Sequence, residues 1–213
     1  MNILYEDKSI VVCIKPVGLL SQADSKGGES VITRLNDICQ SQIYPLHRLD
    51  REVGGVMVYA KTKSAAARLC GDIAQNKFQK EYIALVHGEP KEPEGIMKDL
   101  LFKDSSRNKS FVVKRERKGV KSASLQYKLL KTTNHGDEAF STVGILLHTG
   151  RTHQIRVQFA SRHMPLVGDK KYGARDEFKS IGLWSHKISF NHPETREILS
   201  FSAHPDNFIA EYL

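Results

Sequence analysis

Leu146-Leu147-His148-Thr149-Gly150-Arg151-Thr152-His153-Gln154-Ile155-Arg156-Val157-Gln158 reads as the end of an apolar strand, a tight turn at Thr149-Gly150 and the opening of a helix. Thr152 is the expected cap, with Ile155, Phe159 and Ala160 turned inward. Arg151, His153, Gln154 and Arg156 crowd hydrogen-bond donors into the first turns. A helix N-terminus already favours negative charge, so these donors suit a phosphate or a carboxylate. Arg156 follows Ile155 in a helix that must bury one side, and a buried arginine needs an acid partner. Asp50 is the partner expected from the sequence.

Working outward, strand-like runs dominate. Ile3-Leu4-Tyr5 and Ile10-Val11-Val12-Cys13-Ile14 flank the turn residues Asp7-Lys8, which predicts a β-hairpin. Lys15-Pro16-Val17-Gly18 breaks the second strand. Further strands are expected over 56–60, 78–86, 110–113, 125–130, 142–147, 183–190 and 198–202. Ser30 is placed to cap a helix carrying Ile32, Leu35, Ile38 and Cys39 on one face, and Ser64 to cap a second one holding Ala65, Leu69 and Ile73. Many strands with a few helices, in no regular βαβ rhythm, predict an α+β fold around a mixed or antiparallel sheet.

The bulk composition narrows the class. The 213 residues suffice for one large domain, and no linker or internal repeat divides them, so residues 1–213 are expected to form a single domain. No apolar run reaches bilayer length, and the first residues lack the basic and apolar regions of a secretory signal, so a cytoplasmic location is expected. Three cysteines without short paired spacing suggest neither a disulfide framework nor a zinc knuckle, and the nine histidines are scattered. A net charge of +8 is concentrated partly in residues 107–121, Arg-Asn-Lys-Ser-Phe-Val-Val-Lys-Arg-Glu-Arg-Lys-Gly-Val-Lys. Such a stretch attracts phosphate polyanions, although a solvated basic loop would read the same way.

Two more segments carry chemistry. In Pro45-Leu46-His47-Arg48-Leu49-Asp50-Arg51-Glu52-Val53-Gly54-Gly55, an acid stands between Arg48 and Arg51 beside a flexible glycine pair. It can be held ionised and presented on a loop, but taken alone the segment reads equally as a surface salt-bridge cluster. In Lys80-Glu81-Tyr82-Ile83-Ala84-Leu85-Val86, strand alternation puts Tyr82 on one face and Glu81, Ile83 and Leu85 on the other. Tyr82 is then a packing tyrosine or a platform for a nucleobase.

Together these segments resemble the RluA-type RNA pseudouridine synthases. His47-Arg48-Leu49-Asp50 resembles their H-R-L-D signature, and Lys80-Glu81-Tyr82 is similar to their K-x-Y motif. Residues 147–156 are similar to L-x-T-G-R-T-H-Q-I-R, with Lys15-Pro16-Val17-Gly18-Leu19 and Pro165-Leu166-Val167-Gly168-Asp169-Lys170-Lys171-Tyr172-Gly173 in the right order on either side. The resemblance implies a single catalytic domain with a long, mixed and largely antiparallel central sheet and flanking helices. It also implies isomerisation of uridine in ribosomal or transfer RNA, by a monomer, without cofactor or metal. Asp50 would be the essential acid, Tyr82 would stack on the base and take the C5 proton, and Arg156 would pair with Asp50. Arg48 would help expel the base, with His47, Arg151, Thr152, His153 and Gln154 as further substrate-binding residues. The alternative is an RNA-binding protein of this fold that has lost turnover.

This sequence departs from the family pattern at one informative place. Val53-Gly54-Gly55 stands where the family commonly has T-S-G, so a hydroxyl pair beside the active loop is absent and substrate choice is expected to change. Gln158 and Met164 stand where histidines are common. There is no room before Ile3 for the small N-terminal domain of many relatives, so recognition is expected to rest on the catalytic domain.

Overall fold

The first turn shows how local chemistry starts the fold. The Asp7 carboxylate accepts the backbone N–H groups of Ser9 (2.7 Å) and Ile10 (2.8 Å), reversing the chain between β1 (Asn2–Glu6) and β2 (Ile10–Lys15) as expected for an Asx turn. The computed structural model describes residues 1–24, 27–135 and 138–213. These form two compact units, Met1–Lys80 with Trp184–Pro205, and Glu81–Leu183 with Asp206–Leu213.

In the first unit β2 pairs antiparallel with β4 (Gly54–Ala60), all seven residues of which are buried. The helices α1 (Val31–Cys39) and α2 (Lys63–Ala74) flank this chain segment, and the two-residue β3 (Tyr44–Pro45) pairs with β4. After β5 (Gln79–His87), β6 (Glu94–Asp104), β7 (Lys109–Val113), β8 (Val120–His135), β9 (Glu138–Leu147) and α3 (Gln154–Ala160), the chain supplies β10 (Leu183–Asn191) and β11 (Ile198–Ser202). β10 runs parallel to β4, with Trp184 opposite Gly54 and Ser185 opposite Gly55, and β11 returns antiparallel to β10. Ile10, Val12, Val56, Val58, Leu69, Phe78, Ile188 and Phe190 close the core of this unit.

The second unit is an antiparallel sheet in the order β5-β9-β8-β6-β7. One cluster, Leu85, Phe140, Val167 and Tyr212, packs with Phe178 and Phe208. Another, Leu101, Ala123 and Val157, seats α3 on the sheet with Val112 and Tyr172. The fold is therefore α+β, with the β4–β10 pairing parallel and the β1–β2, β2–β4, β10–β11, β5–β9, β9–β8, β8–β6 and β6–β7 ladders antiparallel. No helix among the described residues is long and apolar enough to cross a membrane.

Three local expectations are corrected. Thr62, not Ser64, caps α2: its hydroxyl accepts the N–H of Ala65 at 3.1 Å, so the helix starts two residues earlier. Ser30 does cap α1, in a capping box closed by Thr33, but the helix buries Val31 and Leu35 and leaves Ile38 48% exposed. Thr152 does not cap α3. His153 is the cap residue, in the left-handed region at φ 52°, and offers no side-chain cap.

Candidate active site

Asp50 sits half-buried in the loop between β3 and β4, and the backbone on each side of it is pinned. On the N-terminal side, the Ser21 hydroxyl accepts from Leu49 N–H (3.0 Å) and donates to Leu49 C=O (2.9 Å). On the C-terminal side, Arg51 C=O accepts from Gly18 N–H (2.9 Å) and from the buried Lys15 ammonium (3.1 Å). Lys15 spends its other donors on the carbonyls of Pro16 (2.9 Å) and Leu19 (2.5 Å). Three donors meet three acceptors, which is how a fully buried ammonium is tolerated. Burial still pulls its pKa down to about 8, against the opposing pull of Glu52 and Asp50. A turn closed by Val53 N–H onto Asp50 C=O (3.0 Å) completes the loop.

The neighbours of Asp50 divide by role. Arg48 is exposed on the loop and its charge faces solvent. His47 belongs to the framework: its Nε2 accepts from Val58 N–H at 3.4 Å and its ring lies 5.6 Å from that of Phe78. Burial, with Lys80 nearby, pushes the imidazole down to about 3, so it is neutral at physiological pH. Gly54 and Gly55 have a packing reason. A Cβ on Gly54 would lie 2.4 Å from the Trp184 ring, and one on Gly55, at φ +120°, would lie 2.2 Å from Ser185 O. The indole of Trp184, fully buried and donating to Ala203 C=O at 3.0 Å, fills the space that a side chain at position 54 would need.

In the second unit, Tyr82 is 6% exposed on β5, opposite Ile145 of β9. The 147–156 segment is locked chiefly by Gln154, which is 3% exposed. Its Oε1 accepts from Thr149 Oγ1 (2.7 Å) and Arg151 N–H (3.0 Å), while its Nε2 donates to Ser124 C=O (3.1 Å). Its polar atoms thus serve the turn that precedes α3. Arg151 donates from Nε to Ser122 C=O (2.9 Å), Thr152 C=O accepts from Ser110 Oγ (2.7 Å), and His153 Nδ1 meets the Tyr172 hydroxyl (2.9 Å).

Arg156 is 6% exposed and, as its burial requires, has an acid partner within the unit. That acid is Asp169, which the sequence reading quoted in its motif without assigning it. Arg156 Nε donates to Asp169 Oδ2 at 2.7 Å and Nη2 to Oδ1 at 2.8 Å, a two-point fork. The Tyr172 ring lies 5.1 Å from the guanidinium carbon. The sequence signal was available, since Asp169 and Tyr172 both belong to Val167-Gly168-Asp169-Lys170-Lys171-Tyr172. Lys15 and Trp184 were the other residues whose parts went unread.

Asp50 thus belongs to the first unit, and Tyr82 and Arg156 to the second. Comparison with known proteins names the class. Residues 9–161 match the RNA pseudouridylate synthase family, and this chain belongs to it. A ribosomal large subunit pseudouridine synthase C of Buchnera aphidicola subsp. Schizaphis graminum is 33% identical over 224 residues, covering 100% of this chain and 69% of that protein. A tRNA pseudouridine synthase C of Haemophilus influenzae is 30% identical over 224 residues, covering 95% of this chain and 92% of that protein. The structure of human RNA pseudouridylate synthase domain containing 1 matches with a TM-score of 0.80 at 21% identity, covering 99% of this chain and 85% of that one, a likeness of fold.

Proposed function

We propose that this chain is an RNA pseudouridine synthase that isomerises specific uridines of ribosomal or transfer RNA, with Asp50 as the residue on which chemistry depends. The observation that carries the reading is the double anchoring of the Asp50 loop. Leu49 and Arg51 are both held by groups from residues 15–21, so the carboxylate between them is presented in one place. Positioning of this kind lowers a barrier because the entropy of alignment is spent during folding.

The reaction conserves atoms and oxidation state. The C1′–N1 bond breaks, the base turns, C5 joins C1′, the C5 proton leaves and N1 gains a proton. Asp50 must be ionised, whether it adds to C1′ or removes a ribose proton. Tyr82 stacks on the base and receives the C5 proton, and Arg156 supplies the countercharge to Asp50 in the RNA-bound enzyme. Arg48, exposed beside Asp50, enters the space of the expelled base; unstacking a base costs a few kcal/mol, and a substitute restores part of that. His47, Arg151, Thr152, His153 and Gln154 are the further substrate-binding residues of this reading, His47 and Gln154 through the backbone they hold. The reading carries with it a cytoplasmic, monomeric enzyme acting within one catalytic domain, without cofactor or metal.

The test is conversion. Purified protein is incubated with unmodified transcripts of large-subunit ribosomal RNA and of the transfer RNAs, and pseudouridine is mapped at single-nucleotide resolution. The same positions are compared in RNA from cells with and without the gene. Modified positions that depend on the gene and are remade in vitro are expected. RNA that binds but stays unmodified, with no position lost in the deletion strain, would favour a binding protein without turnover.

A further inference from the structure

We infer that Asp169 is a positioning residue for the reaction, acting through Arg156; this rests on the role given to Arg156 above. The two side chains meet as a planar fork, at 2.7 and 2.8 Å, with Asp169 1% exposed and Arg156 6% exposed. A guanidinium has five N–H groups in a fixed plane. Committing Nε–H and one Nη2–H to Asp169 sets the direction of the other three, which point away from Asp169. A single-point contact would leave the group free to rotate about its bonds.

The surroundings fix Asp169 in turn. It follows Gly168, whose φ is +76° and whose Cβ, if present, would lie 1.9 Å from Ser180 O. The N–H of Gly168 is held by both oxygens of Asp176, at 3.1 and 2.9 Å, and Asp176 Oδ2 lies 2.6 Å from His87 Nε2. Beyond Asp169, Tyr172 places its ring against the guanidinium, and its hydroxyl accepts from Ser110 N–H at 2.8 Å. The same hydroxyl meets His153 at the start of α3. One short segment, 168–172, therefore fixes both the direction of the guanidinium and the cap residue of the helix that carries it. A two-point, braced pair also suits a buried ion pair held for stability, so the two roles are separated by the chemical step rather than by folding.

The experiment uses the full chain and the ribosomal and transfer RNA transcripts described above, labelled with tritium at uridine C5. Single-turnover release and RNA affinity are measured for wild type, Asp169→Asn, Asp169→Glu, Arg156→Lys and the Asp169→Glu/Arg156→Lys pair, with thermal melting to establish folding. Asp169→Asn puts an NH2 against a donor and leaves a buried charge without its carboxylate, so it can fail to fold. Asp169→Glu keeps the charge and moves it by one methylene, and it serves as the decisive variant. Asp169→Glu is expected to slow release roughly 10- to 100-fold, the size of effect that about 1 Å of misplacement produces, with RNA affinity within about twofold. In the Arg156→Lys background the same change should slow release less than about twofold further, because the group it positions is already gone. Equal slowing in both backgrounds, or normal release from Asp169→Glu while Arg156→Lys is slow, would overturn the inference and leave the role of Arg156 standing. Normal release from Arg156→Lys would overturn both.

Discussion

His47 is the residue whose burial has the clearest consequence in solution. Its imidazole titrates near 3 in the folded protein, against about 6.5 in an unfolded chain. Between those values the unfolded chain binds a proton that the folded one refuses, so stability is whole above pH 6.5 and falls as pH falls towards 3. The slope from this one group is at most about 1.4 kcal/mol per pH unit. Urea unfolding of wild type and His47→Gln across pH 7 to 4 measures it: the variant should show a flatter acid limb. An unchanged slope would mean that His47 is protonated in the folded state. The same residue shows what a sequence can and cannot disclose. The motif pointed to His47, Arg48 and Asp50 together, yet only the surroundings separate them: a framework ring, an exposed cation and an anchored acid. For Arg156 the need for an acid followed from its place beside Ile155, and Asp169 stood in a quoted motif, but only the structure brings the two together.

At the scale of elements, β4 and β10 explain Gly54, one of the two residues at which the sequence departs from the family pattern. The loss of a hydroxyl at position 54 reads, in sequence, as a change in substrate choice. Packing supplies another cause, since the Trp184 ring lies where a side chain on residue 54 would go. Gly54→Ser should therefore destabilise the fold by about 1–3 kcal/mol through overpacking. Trp184→Leu alone opens a cavity and costs a comparable amount or more. Combined, the two changes should cost less than their sum by about 1 kcal/mol or more, because each relieves the other. Denaturant midpoints of the four proteins test this, and strict additivity would show that the ring and residue 54 do not compete. Element legibility followed the clarity of the pattern. β11 and the β1–β2 hairpin were readable because apolar runs end at turn residues. β6 was not, because Ile96-Met97 and Leu100-Leu101-Phe102 set apolar residues side by side and erase alternation, although only Met97 and Leu101 of them are buried. β8 runs on to His135 past the expected end at Leu130 because its ladder with β9 holds it, through residues whose polarity signals a loop.

At the scale of the whole molecule, the charge is of the sign that attracts a polyanion. The net charge is +8, and residues 114–118 are exposed beside β7, where Arg117 lies 4.5 Å from the Phe102 ring and Lys109 lies 5.1 Å from that of Tyr172. Cations at a sheet edge also discourage edge-to-edge pairing, so charge by itself does not establish an RNA surface. Family membership is what turns a basic α+β protein into an RNA pseudouridine synthase. The claim that chemistry depends on the Asp50 carboxylate is tested most directly by single-turnover tritium release from C5-labelled RNA, with wild type and Asp50→Asn compared at equal RNA occupancy. Asn keeps the shape of Asp and the backbone anchors, which come from Leu49 and Arg51, and removes only the charge. Asp50→Asn should bind the RNA as wild type does and release no tritium; near-normal release from that variant would contradict the assignment of Asp50 and the mechanism built on it.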